Sequence, residues 1–120
     1  MSLLDTEDAL GLAALIARRE VTAHEVVDEA IGRIERLNPQ LNAVTTPLVD
    51  RALGELRRGL PDGRFKGVPF FLKDLLADYA GVPSTAACRA FANQPAAADS
   101  EIVRRFRAAG LVILGKTNTS

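Results

Sequence analysis

Two stretches of this chain carry residues that could do chemistry. The first is GLVILGKT, residues 110–117, which satisfies G-x-x-x-x-G-K-[ST], the pattern of a loop that cradles phosphate in its backbone N–H groups. That pattern needs a strand before the loop and a helix after it. Here DSEIVRRFRAA leads into Gly110, with Ile102, Val103, Phe106 and Ala109 at helical spacing and Arg104, Arg105 and Arg107 on the other side. The run 111–114 is continuously apolar, as in a strand covered on both faces, and wrapping it around phosphate would waste its burial. The expected order is therefore a helix, Gly110 as its C-terminal cap, a buried strand and a polar turn GKTN, with no nucleotide bound. The second stretch is GVPFFLKD, residues 67–74. Three large apolar residues deliver Lys73 and Asp74 to the C-terminal end of a strand, where α/β proteins often keep functional groups. The residues alone favour a Lys73 that snorkels to water or pairs with Asp74.

The remaining reactive side chains are sparse. One histidine, His24, and one cysteine, Cys88, cannot build the usual His/Cys metal site or a disulfide framework, so no metal is expected. His24 reads as a surface residue in the first turn of a helix. Cys88, in the Ala-rich TAACRAF, reads as a buried inert thiol. Fifteen basic and fifteen acidic residues cancel, which removes the electrostatic support for nucleic-acid or membrane-surface binding. Only three of the basic residues are Lys (Lys66, Lys73 and Lys116), so each lysine position carries information. No run of about 18 apolar residues and no basic-then-apolar start is present, so the chain reads as cytoplasmic.

These residues need elements to hold them. DTEDALGLAALIARRE is dense enough in apolar residues for a buried helix, acidic at its start and basic at its end. A second helix begins at TAHE, where Thr22 and Glu25 have capping-box spacing. Val27, Ala30, Ile31, Ile34 and Leu37 mark its inner face, Glu29 and Arg33 can pair at i,i+4, and NPQ ends it. LNAVTT is a short extended stretch, after which Thr46 caps a third helix with Pro47 in its first turn and Leu48, Ala52 and Leu56 facing inward. GLPDGRFKG is a loop by composition. Strands are expected at 68–72 and 111–114. Two strands cannot form a sheet covered on both faces, so the chain reads as the opening of a larger α/β domain: a helical region over about 1–60, then the start of an α/β core over about 64–120.

Taken together, GVPFFLKD, ADSEIVRRFRAAGLVILGKTN and RIERLNPQLNAV are similar, in order and spacing, to the amidase signature family, and the match covers nearly the whole chain. The resemblance implies that family's fold, a mixed sheet covered by helices and incomplete in this chain. It also implies a hydrolase of non-peptide amides built on a Ser–Ser–Lys triad, with Lys73 as the triad lysine. In the family one serine attacks the amide carbonyl. The second, beside a cis peptide bond, relays the proton to lysine, and no cofactor takes part. Asp74 is implied to orient the lysine or close its turn, while for Lys116 turn geometry, support of active-site loops and substrate contact all stay open. The family's two serines lie downstream of GKTN; Ser84, Ser100 and Ser120 do not match them, so residues 1–120 alone are expected to hydrolyse nothing. The implied partner is a small-molecule amide, with no nucleic acid or membrane, and self-association left open. Leu75 replaces the Asn that often follows Lys-Asp in the family, and STAACR replaces its Thr-x-Gly-Ser-like segment. The first departure favours an amidase of aryl or nylon-type cyclic amides over the amidase-like component of a glutamyl-tRNA(Gln) amidotransferase, and the second leaves the substrate pocket open. A non-catalytic interaction module is the third reading.

Overall fold

The apolar run at 111–114 is explained by what lies on either side of it. In the computed structural model, which describes residues 2–119, it feeds the central strand of a three-stranded sheet. The elements are α1 (Leu3–Thr6), α2 (Ala9–Ala17), α3 (Ala23–Leu41), β1 (Val44–Pro47), α4 (Val49–Arg58), β2 (Pro69–Lys73), a 3-10 turn (Arg89–Phe91), α5 (Glu101–Ala108) and β3 (Val112–Thr117). The strand order is β1-β3-β2, with β1 antiparallel and β2 parallel to β3. On one face Val112 and Leu114 pack with Val27 and Ala30 of α3 and Ala52 of α4. On the other, Ile113 and Leu72 pack with Val103 of α5 and with Ala77, Tyr79 and Val82. A third cluster, Leu12, Val26, Val68 and Leu111, seats α2 beside the strand starts. A strand covered on both faces needs no alternation, and its unbroken hydrophobicity follows.

Several expectations hold. Thr22 and Glu25 close a reciprocal capping box, Glu25 N donating to Thr22 Oγ1 at 3.1 Å and Thr22 N to Glu25 Oε2 at 2.9 Å. Gly110 follows α5 at φ 86°, a left-handed cap. Others are corrected. The first helix is two, because the Asp8 carboxylate accepts from Gly11 N at 2.8 Å and so caps a new start at Ala9; of α2 only Leu12 is buried. NPQ does not end α3: the helix runs through Pro39 to Leu41 and stops at Asn42, φ 49°. So close to the C-terminus the proline forfeits a single helical bond. Asn38 holds the chain there, exchanging two hydrogen bonds of 2.8 and 2.9 Å with the backbone of Val44.

Thr46 and Pro47 do not start a helix. They pair with Lys116 and Gly115 as the end of β1, an edge strand in which a missing N–H is tolerated, and α4 begins at Val49. Arg33 pairs with Asp5 of α1 at 2.6 Å instead of with Glu29, whose Oε1 is buried without a partner among the described residues. Ile102 is 49% exposed, leaving Val103 and Phe106 as the inward residues of α5. GKTN is no turn: Gly115, Lys116 and Thr117 belong to β3.

Candidate active site

Lys73 is the last residue of β2 and is exposed. It flanks an apolar cleft lined by Phe70, Phe71, Leu75, Leu76, Ile102 and Phe106. No ion pair joins it to Asp74 among the described residues. Asp74 is 3% exposed and is held from four sides. Its N–H donates to Thr117 O at 3.0 Å, and its carbonyl accepts from Ala86 N at 3.1 Å. One carboxylate oxygen accepts from Thr85 N at 2.8 Å and the other from Thr85 Oγ1. The Lys116 ammonium stands 3.8 Å from Asp74 Oδ1. The turn at Asp74 is therefore closed by the loop around residue 85 and not by the lysine beside it.

Lys116 is completely enclosed, and its Nζ lies 2.6 Å from Ser84 Oγ. Burial pushes its pKa below the usual value, while the charges of Asp74 and Asp78 pull it back up. Geometrically, Nζ donates to Ser84 Oγ while the Asp74 carboxylate supplies a countercharge. The backbone around this corner is unusual as well. Of the five non-glycine residues with positive φ among the described residues, three border it: Leu76 at 60°, Ala86 at 48° and Ala87 at 59°. Such conformations persist where surrounding contacts over-determine them, and they cluster at functional sites.

A second network pins the segment from 77 to 99 to the helices. Tyr79 Oη donates to Glu55 Oε1 at 3.0 Å, Arg107 pairs with Glu55 at 3.1 Å and Asp99 at 2.8 Å, and Asp99 Oδ1 accepts from Ala80 N at 2.8 Å. The Arg51 guanidinium lies 3.7 Å from the Tyr79 ring centroid and donates to Ala80 O at 2.7 Å. Burial, then the Glu55 charge, push the Tyr79 phenol up, so it stays a neutral donor.

The other candidates lie apart. His24 is exposed in the first turn of α3. Cys88 is exposed, correcting the buried thiol: the loop carrying it runs over the surface, tied by backbone bonds and two isolated bridges (Ala80–Ala96 and Pro83–Pro95) and not by core packing. Ser100 is the N-cap residue of α5, and Ser120 lies outside the described residues. The phosphate-loop pattern is spent in β3, whose backbone is engaged by a strand on each side. No group of three or more His, Cys, Asp or Glu among the described residues is placed to hold a metal, and no helix among them is long and apolar enough to cross a membrane. The reading of the residues missed Lys116 and Ser84 as a buried pair; a lysine closing an apolar run in a lysine-poor chain was the available signal.

Comparison with known proteins converges on one family. The family described as Amidase matches residues 25–120. The chain is 38% identical over 115 residues to the 6-aminohexanoate-cyclic-dimer hydrolase of Paenarthrobacter ureafaciens, covering 94% of this chain and 23% of that one. It is 36% identical over 118 residues to the acylamidase of Rhodococcus erythropolis, covering 92% and 24%. A glutamyl-tRNA(Gln) amidotransferase component of Salinispora arenicola is 42% identical over 125 residues, covering 98% and 25%. A solved 6-aminohexanoate cyclic dimer hydrolase superposes with a TM-score of 0.86 at 36% identity, over 94% of this chain and 23% of that one. The chain thus spans about a quarter of the length of the relatives it matches. On the matched segment and the shared fold, the chain belongs to the amidase signature family.

Proposed function

We propose that this chain supplies the lysine of a Ser–Ser–Lys amide hydrolase, with Lys73 as the base and both serines contributed by the family's downstream segment. The observation that carries the reading is the position of Lys73 at the C-terminal end of β2, exposed, next to a residue whose every hydrogen-bonding group is engaged. A base must present its amine to the reacting groups from a backbone that does not drift, and an exposed amine on a turn whose backbone groups are bonded supports that reading. In the reaction the nucleophilic serine adds to the amide carbonyl carbon while its proton passes through the second serine to Lys73. The proton then returns to the leaving amine as the C–N bond breaks. Water repeats the sequence on the acyl-enzyme, releasing the acid and restoring the serine.

The substrate class proposed is a small non-peptide amide of aryl or cyclic kind, in line with Leu75 after Lys73-Asp74 and with the cyclic-dimer hydrolase among the relatives. The test is Lys73→Ala in the protein that joins this chain to the serine-bearing segment. Turnover is expected to fall by about 1,000-fold or more with the fold retained. Activity within a few-fold of the parent removes Lys73 from the triad.

A further inference from the structure

We propose that Lys116 is a positioning residue for this reaction: through Ser84 and Asp74 it fixes the turn that carries Lys73. The inference rests on the reading of Lys73 as the base. A lysine at 0% exposure is costly, since its ammonium must be stripped of water and a partner offsets only part of that cost. Nothing in the packing of the sheet requires a cation there. The strand register shows how it comes to be there. Pro69 and Phe70 stand opposite Val112 and Ile113, but Phe71 stands opposite Gly115, so β3 carries one extra residue, Leu114. In unbroken register Lys116 would oppose Lys73, placing two ammonium groups side by side. With the slip it opposes Leu72 and reaches Asp74 and Ser84. A bulge that re-aims one side chain beside a site is a recurrent device.

Lys116 closes the excursion of the chain between Asp74 and Ser84. At one end it gives the Asp74 carboxylate its countercharge at 3.8 Å; at the other it donates to Ser84 Oγ at 2.6 Å. The Asp74 carboxylate faces it at 3.8 Å, and the charge of Asp78 also reaches it. Asp74 follows Lys73 directly, and the same loop continues into the left-handed Ala86 and Ala87. Without Lys116, the buried carboxylate loses its countercharge and the strained loop loses its anchor at Ser84. The turn can then relax, and a base displaced by about 1 Å forfeits on the order of 100-fold in rate.

The experiment uses the full-length protein, with Lys73→Ala as the reference, and compares Lys116→Met, Ser84→Ala and the double variant Lys116→Met/Asp74→Asn. Lys116→Met is expected to lower kcat by about 10- to 100-fold with KM little changed. It should also move the acid limb of the kcat/KM profile to higher pH, because the uncompensated Asp74 carboxylate beside Lys73 favours the protonated base. The double variant removes both charges and should return the limb to its parental position. Ser84→Ala removes a bond but no charge, and should lower kcat by roughly 3- to 10-fold with the limb in place. A folded Lys116→Met with kcat within threefold of the parent and an unmoved limb overturns the proposal. Should that variant not fold, a parental kcat in Ser84→Ala overturns it equally. An inactive Lys73→Ala beside an active Lys116→Met refutes positioning alone, whereas an active Lys73→Ala refutes the base assignment itself.

Discussion

Removing the Asp99 carboxylate should loosen the whole segment that follows Lys73, by an amount that its contacts allow to be estimated. Asp99 Oδ1 accepts the Ala80 amide at 2.8 Å and Oδ2 accepts from Arg107 Nη1 at 2.8 Å. The Asp99 side chain is 10% exposed and that of Arg107 40%, so the ion pair itself is screened and contributes about 1 kcal/mol at most. The amide bond matters more: truncation leaves the Ala80 N–H without its acceptor, at roughly 1–3 kcal/mol. Asp99→Ala should therefore cost about 1–4 kcal/mol near neutral pH, and Asp99→Asn, which keeps an acceptor but not the charge, about 1 or less. Burial alone would raise the Asp99 pKa, but the bonds from Ala80 and Arg107 and the charges of Arg107 and Arg51 outweigh it and hold it below the ordinary carboxylate value. A depressed carboxylate stabilises the fold fully above its unfolded pKa, and that contribution is lost as the pH falls through the folded value. The gap between parent and Asp99→Asn should thus be constant from about pH 7 to about pH 5 and shrink below about pH 4. Urea titrations across that range measure the gap, and amide exchange at Ala80 reports the local bond. The reasoning is refuted if Asp99→Ala shifts stability by under about 0.5 kcal/mol, or if the gap to Asn does not narrow in acid.

Two further substitutions test the backbone. At Gly63 a Cβ would sit 2.2 Å from the Ala109 carbonyl carbon, a backbone atom that cannot swing away, so Gly63→Ala should cost about 3 kcal/mol or more in a thermal melt, and an unchanged midpoint would mean that the loop does not pack against the end of α5. Leu76, 84% exposed at φ 60°, combines an apolar surface side chain with left-handed strain. Leu76→Asn should therefore stabilise by roughly 0.5–1 kcal/mol, and destabilisation would show that the leucine has a role its exposure hides.

Local signals in the chain were readable where a few neighbouring residues decide the outcome. The Thr22–Glu25 box needs four residues, Gly110 after an Arg-rich amphipathic helix needs ten, and both stand as read. Prolines misled because their effect depends on distant partners. Pro39 is accommodated by Asn38 reaching β1, and Pro47 by its place on a sheet edge, neither of which the local sequence displays. The lysine at the end of β2 was legible from the strand pattern and from the family resemblance. Its surroundings were not, since Asp74 takes its partners from residues 85, 86, 116 and 117.

The extra residue in β3 sharpens that distinction. Paired as a continuous ladder with β2, residues 112–117 would put Lys116 opposite Lys73, two like charges side by side. A single-residue slip reverses the face of everything beyond it. The slip is set by pairing with Phe70 and Phe71 more than forty residues earlier. No window of sequence contains that information, yet it decides whether Lys116 opposes Lys73 or opposes Leu72 and reaches Asp74 and Ser84. A buried lysine in a chain with so few of them is thus a consequence of register.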